Sequence, residues 1–194
     1  MTFNDTSSLL TFLKTRKSAS AKAMGEPGPA PAVLDEILRL ALRVPDHGKL
    51  APWRFVVFEG AARAQVGAAF RARWAELNPT HGAVALDFQA GLFMRAPVVV
   101  VVVSTAQEHI KIPIWEQQLS AAALSFNVVL AAQAHAFDAQ WQTDWVAYDA
   151  KAKAAMGVGE QEKVAGVVYI GTSTLPLEDR PRPELASVLT RWVK

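Results

Sequence analysis

Cysteine is absent from this sequence, and that absence removes several kinds of chemistry at once. Without thiols the chain has no disulfide bonds, no thiolate nucleophile and no cysteine-ligated zinc or iron–sulfur site. Histidines are few as well, and their spacing matches neither HExxH nor another local metal motif. We therefore expect a protein without a resident metal, whose chemistry comes from elsewhere.

The glycine-containing motifs of several common enzyme classes are also missing. Neither a GxxxxGK[ST] run nor a GxSxG run occurs, which argues against a P-loop NTPase and an α/β-hydrolase. The nearest match to a dinucleotide fingerprint is Gly157-Val158-Gly159, but it follows a predicted helix and Glu162 stands where the third glycine belongs. A nucleotide-binding Rossmann fold is therefore not predicted.

Basic stripes, membrane spans and secretory segments are lacking too. The formal net charge is +2 and no basic stripe is present, so nucleic acid is not an expected partner. Residues 96–103 are too few to span a bilayer, and the first ten residues lack the basic and apolar regions of a secretory signal. We expect one globular domain over residues 1–194 in the cytoplasm, with no membrane partner.

The segment from Ile114 to Phe137 is long, largely apolar and free of glycine and proline, which favours one continuous helix. Apolar residues lie on two opposite faces of that helix, so it must be buried on most sides. We expect a central helix that is partly shared with a second subunit. One face carries Leu119, Ala123, Phe126, Val129 and Leu130, and the other carries Ala121, Leu124 and Val128.

The remaining pattern places helices between well-separated strands, which indicates a sheet covered by helices, either α/β or α+β. Residues 98–104 form an unbroken β-branched run that is typical of an internal strand. Helices are predicted at residues 8–16, 31–43, 61–77 and 150–156, and the other strands at 53–58 and 166–172. Residues 78–94 are predicted to be irregular, 138–149 to be a loop, and the proline-rich tail to wrap a surface.

A basic triplet follows the first predicted helix. The guanidinium of Arg16, the ammonium of Lys17 and the hydroxyl of Ser18 can hold a phosphate by charge-assisted hydrogen bonds. Taken alone, the triplet also fits an ordinary basic helix end that complements the helix dipole. His47 lies between two prolines in a polar loop and is equally ambiguous by itself.

Five blocks in order resolve this ambiguity: TRKSAS, RVPDHGKLAPWRFVVFEG, IKIPIWEQQLSAAA, WQTD and EKVAGVVYIGT. Together they resemble the FMN-dependent nitroreductase family, and in particular its compact branch, over nearly the whole chain. The resemblance implies an α+β fold with a central mixed or antiparallel sheet flanked by helices, a long buried central helix and an entwined homodimer. It also implies two FMN molecules at the subunit interface and NAD(P)H as electron donor.

The resemblance further implies which residues form the site. The reaction would be carried by flavin N5, with no catalytic side chain, in a ping-pong cycle that reduces nitroaromatic, quinone-like or related small molecules. By this resemblance, the phosphate and ribityl chain of FMN would contact Arg16, Lys17 and Ser18. Arg43 and His47 would reach the flavin from the partner subunit. The segment beside the flavin would be Trp141, Gln142 and Thr143. The nicotinamide nucleotide would contact Ala132, Gln133, Ala134, His135, Ala136 and Phe137.

Three positions depart from the pattern of the family. Gln142 stands in place of an arginine, Asp144 in place of a glycine and Ala51 in place of a glutamine. These changes bear on substrate choice and flavin potential. The alternatives are another flavin reaction of the same superfamily, such as flavin fragmentation or reductive dehalogenation, a non-catalytic flavin-binding protein, and a structural dimer without a cofactor.

Overall fold

The computed structural model describes residues 2–193, and helices and strands alternate through much of that range. The helices are α1 (Leu9–Thr15), α2 (Pro31–Ala41), α3 (Ala61–Leu77), α4 (Ala83–Ala90), α5 (Ile114–Ala134), α6 (Ala150–Ala155) and α7 (Leu185–Val188). The strands are β1 (Met24–Gly25), β2 (Trp53–Glu59), β3 (Val98–Ser104), β4 (Asp138–Gln142) and β5 (Lys163–Ser173). The single-domain expectation also covers Met1 and Lys194, which lie outside the described residues.

The sheet is built around β3 and β5, and every strand pairing in it is antiparallel. Strand β3 lies between β2 and β5, while β5 also pairs with β4 along its other edge and with β1 near its end. Antiparallel pairing with helices packed against the sheet makes the fold α+β, which selects between the two classes that the sequence allows.

The six valines of β3 explain why this strand is internal. Successive side chains of a strand point to opposite faces, and all of these valines are buried. On one face, Val99, Val101 and Val103 pack in a cluster with Phe93 and Tyr169. On the other face, the alternate valines pack with α2 and α5, whose buried contributors are Leu34, Ile37, Leu124, Val128 and Val129.

Helix α5 confirms the prediction of a long, largely buried helix and ends three residues before the predicted boundary. Its Leu124 and Val128 are fully buried against the sheet, whereas Leu119 and Phe126 on the other side are 48% and 41% exposed. The sequence predicts that part of this helix is shared with a second subunit, and that stays a prediction. No helix within residues 2–193 is long and apolar enough to cross a membrane.

Two regions differ from the sequence-based prediction. Residues 78–94 are not wholly irregular, because they contain α4, which packs against α3 where Gly67 leaves room for the backbone at Ala90. Residues 138–149 are not a loop throughout, because they begin with β4, which pairs with an edge of β5. Both elements depend on partners distant in sequence, and local patterns do not record such contacts.

Candidate functional site

The basic triplet lies in the segment after α1 and is fixed by contacts on both sides. The backbone N–H of Lys17 donates to Asn4 Oδ1 at 2.8 Å, and the carbonyl oxygen of Lys17 accepts a 2.7 Å bond from Gln133 Nε2 of α5. The side chain of Arg16 donates to Ser18 Oγ at 3.4 Å. We call residues 16–18 the basic loop; its backbone is held, and its three polar side chains are only half-buried.

Several cationic side chains lie near Arg16, and one of them, Arg182, is paired with Asp179 at 3.0 Å. The Arg16 guanidinium lies 5.5 Å from the centre of the Phe126 ring, and it forms no ion pair with an acidic side chain in residues 2–193. Burial lowers the pKa of Arg16, and the nearby charges of Arg182 and Arg180 lower it further. An anion bound here would reverse that unfavourable environment. Arg180 and Arg182 were not predicted to be site residues, and the short basic motif RPRP was the only sign of them in the sequence.

The end of β4 approaches the basic loop through a pair of glutamines. Gln140 Oε1 accepts hydrogen bonds from the backbone N–H of Ala21 at 2.6 Å and from Gln142 Nε2 at 2.7 Å. Lys17, Ser18 and Gln140 share a cavity of about 600 Å³ with residues of the tail. Gln142 is thus linked through Gln140 to the segment that follows the basic loop.

The other two residues of this segment are held by different contacts. The indole of Trp141 lies over Gly166, where any larger side chain would overlap its Nε1 atom, and Thr143 Oγ1 accepts a 3.0 Å bond from the Tyr148 hydroxyl. Asp144 has φ of 70°, which explains why a glycine suits this position. The Asp144 carboxylate accepts a hydrogen bond from the Trp145 N–H at 2.7 Å, which offsets part of the cost of this backbone conformation.

The loop that carries Arg43 and His47 is bound to a different part of α5. His47 Nδ1 lies 2.7 Å from Glu116 Oε1, with both side chains about half exposed. The carbonyl oxygen of Arg43 accepts a 3.3 Å bond from Asn127 Nδ2. The loop borders a cavity of about 570 Å³ lined mainly by apolar residues: Pro45, Pro52, Ile112, Leu119 and Ala123.

One subunit therefore holds His47 apart from the basic loop, whereas the backbone of Arg43 is bonded to Asn127, next to Phe126. Glu116, which contacts His47, and Phe126, which contacts Arg16, are ten residues apart on α5 and so about 15 Å apart along the helix axis. Within residues 2–193 no hydrogen bond or ion pair joins the basic loop to the side chain of Arg43 or His47.

The segment predicted to contact the nicotinamide nucleotide forms the end of α5 and the turn into β4. Ala132 and Gln133 are buried, and Ala134 and Ala136 are exposed. His135 is half-buried with Nε2 3.9 Å from Glu36 Oε2. A cavity of about 330 Å³ borders Gln133, Ala136 and Phe137, and it shares Ser173, Leu175 and Leu177 with the cavity beside the basic loop.

Comparison with known proteins gives a consistent result. A model described as "Nitroreductase family" matches residues 13–172. The Escherichia coli K12 protein named "Putative NAD(P)H nitroreductase YdjA" is 34% identical over 173 residues, with 86% of this chain and 88% of that protein covered. A Haemophilus influenzae protein of the same name without "YdjA" is 37% identical over 164 residues, with 84% and 87% covered.

Solved structures share the fold at lower sequence identity. A nitroreductase-like family protein from Bacillus cereus superimposes with a TM-score of 0.79 at 18% identity, over 95% of this chain and 96% of that one. A nitroreductase with bound FMN from Bacteroides fragilis gives 0.69 at 19% identity, over 94% and 97%. The α+β architecture described above is thus the nitroreductase-like fold.

Proposed function

The chain belongs to the nitroreductase family, and from this premise we propose that it passes hydride from NAD(P)H to FMN and then to a nitroaromatic, quinone-like or related acceptor in a ping-pong cycle. It is an NAD(P)H-dependent oxidoreductase, and FMN and NAD(P)H are its cofactors. We also propose that the protein is a homodimer and that it functions in the cytoplasm.

The observation that carries this proposal is the positive environment of Arg16. Burial lowers the pKa of Arg16, and the charges of the tail residues Arg182 and Arg180 lower it further. A terminal monophosphate carries up to two negative charges and offers three acceptor oxygens to such donors. These residues fit the phosphate of FMN. The half-buried hydroxyl of Ser18 would be one of the groups that hold it.

The remaining residues would position the ring system rather than react. Bound FMN supplies the two-electron chemistry. Gln142 and Thr143 offer an amide and a hydroxyl at the end of β4, and the fixed backbone of this segment limits their movement. Because His47 is attached at a distant point on α5, we assign it to the flavin of the partner subunit. The assignment of Arg43 to the same flavin rests on the resemblance alone.

This assignment requires a dimer, and α5 supplies a surface for one. Leu119 and Phe126 leave an exposed apolar side on a helix that is largely buried against the sheet. A two-fold contact between two copies would cover that side and would build two identical sites at once.

For a nitroaromatic acceptor each two-electron turnover is balanced as follows. NAD(P)H contributes a hydride and solvent contributes a proton, one N–O bond of the nitro group breaks, and the products are the nitroso compound, water and NAD(P)⁺. No side chain of the protein needs to form a covalent bond in this sequence. The protein contributes binding, orientation and electrostatics.

The test begins with the purified protein and its visible spectrum. We expect a yellow protein that releases FMN rather than FAD on denaturation, because the basic loop suits a terminal phosphate. Anaerobic addition of NADH or NADPH should bleach the colour, and a nitroaromatic compound should restore it. Colour that persists after both nucleotides would indicate a flavin-binding protein without reductase activity, and failure to retain added FMN would contradict the proposal altogether.

A further inference from the structure

The loop that carries His47 is fixed to the first two turns of α5 at two points. Ser120 Oγ donates a 2.6 Å hydrogen bond to the carbonyl oxygen of Pro45, and His47 Nδ1 lies 2.7 Å from Glu116 Oε1. Glu116 and Ser120 are four residues apart on α5, so their side chains share one face of the helix. One contact therefore holds the backbone before His47, and the other holds the imidazole ring itself.

The backbone around His47 is also fixed by contacts that do not involve its ring. The carboxylate of Asp46 accepts hydrogen bonds from the N–H groups of Leu50 at 3.1 Å and Ala51 at 2.9 Å. The loop therefore has several anchors besides the contact between the imidazole and Glu116. Removal of that one contact should free the ring and leave the backbone of the loop in place.

The pair formed by His47 and Glu116 has little value for stability. The two side chains are 60% and 46% exposed, and an exposed pair of this kind contributes little to folding because water solvates both groups as well. Both residues also border the cavity of about 570 Å³ that includes Leu119 on the exposed apolar side of α5. The fixed imidazole thus lies next to the surface that we propose meets a second subunit.

The contact with Glu116 decides which nitrogen of His47 carries the proton. An ionised carboxylate accepts hydrogen bonds and cannot donate one, so Nδ1 must be the donor in this pair. In the neutral ring Nε2 is then left with a free lone pair, and no hydrogen bond within residues 2–193 involves it. An imidazole held in this way presents a hydrogen-bond acceptor at Nε2 to an N–H or O–H group of a ligand.

We propose that Glu116 is a positioning residue, which fixes the ring of His47 in the Nδ1–H tautomer and presents Nε2 to the flavin of the partner subunit. FMN carries donors of the required kind, namely the imide N–H of its ring system and the hydroxyls of its ribityl chain. This inference rests on the proposed function, which assigns His47 to that flavin, and it adds a residue that the resemblance does not include. The state of the His47 ring is measurable without any flavin.

The first measurement is the position of the proton on the His47 ring in the full chain before FMN is added. Long-range proton–nitrogen NMR spectra at about pH 8.5, well above the ordinary pKa of histidine, distinguish the two neutral tautomers, and the signals that disappear in His47→Gln identify the ring. We expect Nδ1–H in the wild type and in Glu116→Gln, whose amide oxygen can accept the same bond. Glu116→Met should lose this tautomer. Glu160→Met, at an exposed glutamate without an ion pair in residues 2–193, is the control and should retain it.

The second measurement is the affinity for FMN in a double-mutant cycle. Glu116→Met should raise the Kd of FMN about fivefold, as expected from the loss of one hydrogen bond. The same change should have no further effect in a chain that already carries His47→Ala, because the two residues would act through one contact. Glu116→Gln and the control Glu160→Met should keep the affinity of the wild type.

Two results would overturn this inference. One is an Nδ1–H ring that persists in Glu116→Met, and the other is a set of losses in FMN affinity that simply add when Glu116→Met and His47→Ala are combined. Failure of the wild-type protein to retain FMN would contradict the proposed function instead. The NMR spectra would then still decide whether Glu116 orients the ring of His47.

Discussion

The side chain of Gln133 in α5 holds the backbone of Lys17 in the basic loop. Its amide nitrogen donates a 2.7 Å hydrogen bond to the Lys17 carbonyl oxygen, although the two residues are far apart in sequence. Gln133 is 1% exposed, and its Oε1 atom has no hydrogen-bond partner. A buried amide oxygen without a hydrogen-bond partner lowers the stability of the fold. The position of Gln133 therefore indicates a role in arranging the basic loop.

Replacement of Gln133 by methionine tests that role. The change removes one neutral hydrogen bond, which contributes about 1 kcal/mol, but it also removes a buried oxygen without a partner, which costs about 1 to 3 kcal/mol. We therefore expect little change in the free energy of unfolding and a several-fold weaker affinity for FMN. Titration of the apoprotein measures the affinity, and Gln118→Met is the control on the same helix. If the free energy of unfolding and the free energy of FMN binding fall by the same amount, Gln133 has only a structural role.

Arg16→Ala addresses the phosphate contact directly. Hydrogen bonds to charged groups contribute about 1.5 to 3 kcal/mol each, so the dissociation constant of FMN should rise by at least about tenfold. The chain should still fold, because Arg16 pairs with no acidic side chain in the described range and its surroundings lower its pKa. Lys14→Ala, at an exposed position in the last turn of α1, provides the control. Unchanged affinity would leave Arg16 as a solvated helix end.

Strong local patterns were enough to predict most of the fold. The β-branched run at 98–104 and the long apolar segment of α5 identify themselves by composition and length, and both predictions are confirmed. Helix α3 occupies the predicted residues 61–77. Strand β4 and helix α4 were not predicted, because each is stabilised by a distant partner and has little pattern of its own.

The candidate site was predictable only in part. Strand β4 and the segment around the basic loop are far apart in sequence: the bond from the Ala21 N–H to Gln140 Oε1 spans more than a hundred residues, and Gln140 shares a cavity with Lys17 and Ser18. Local patterns carry no record of such contacts, so only the resemblance to a family assigned both segments to one site. The arginines of the tail could not be assigned, because nothing in a proline-rich tail indicates which surface it meets.

Gly67→Ala should destabilise the packing of α3 against α4. A methyl group at this position would overlap the carbonyl oxygen of Ala90, which belongs to the backbone and cannot rotate away. The gain in helix propensity is up to about 1 kcal/mol, whereas overpacking costs about 1 to 3 kcal/mol, so a net loss is expected. Chemical denaturation measures it, with Gly82→Ala as a control where nothing lies within 4 Å.

The ion pair between Arg54 and Glu162 makes stability dependent on pH. Bonds of 2.8 Å and 2.5 Å from the Arg54 guanidinium lower the pKa of Glu162 from 4.5 to about 2. The unfolded chain therefore takes up this proton first, and stability present above pH 4.5 is lost as the pH falls towards 2. Its size is on the order of 1 to 3 kcal/mol. Glu162→Gln should lack this part of the pH profile, and Glu160→Gln should retain it.

Subunit exchange provides the sharpest test of a shared site. Arg16 and His47 contact points of α5 that are ten residues apart, about 15 Å along the axis, and no hydrogen bond or ion pair within residues 2–193 joins them. If each flavin is held by Arg16 of one chain and His47 of the other, both Arg16→Ala and His47→Ala homodimers should bind FMN poorly.

A mixture of the two variants distinguishes a shared site from a site within one chain. In a heterodimer with shared sites, one site collects both changes and the other collects neither, so up to one good site per heterodimer should return. Sites contained within one chain would each keep one change, and affinity would not recover. Native mass spectrometry verifies the exchange, and flavin fluorescence counts the sites. Recovery requires a dimer, because only a second copy can supply the missing residue.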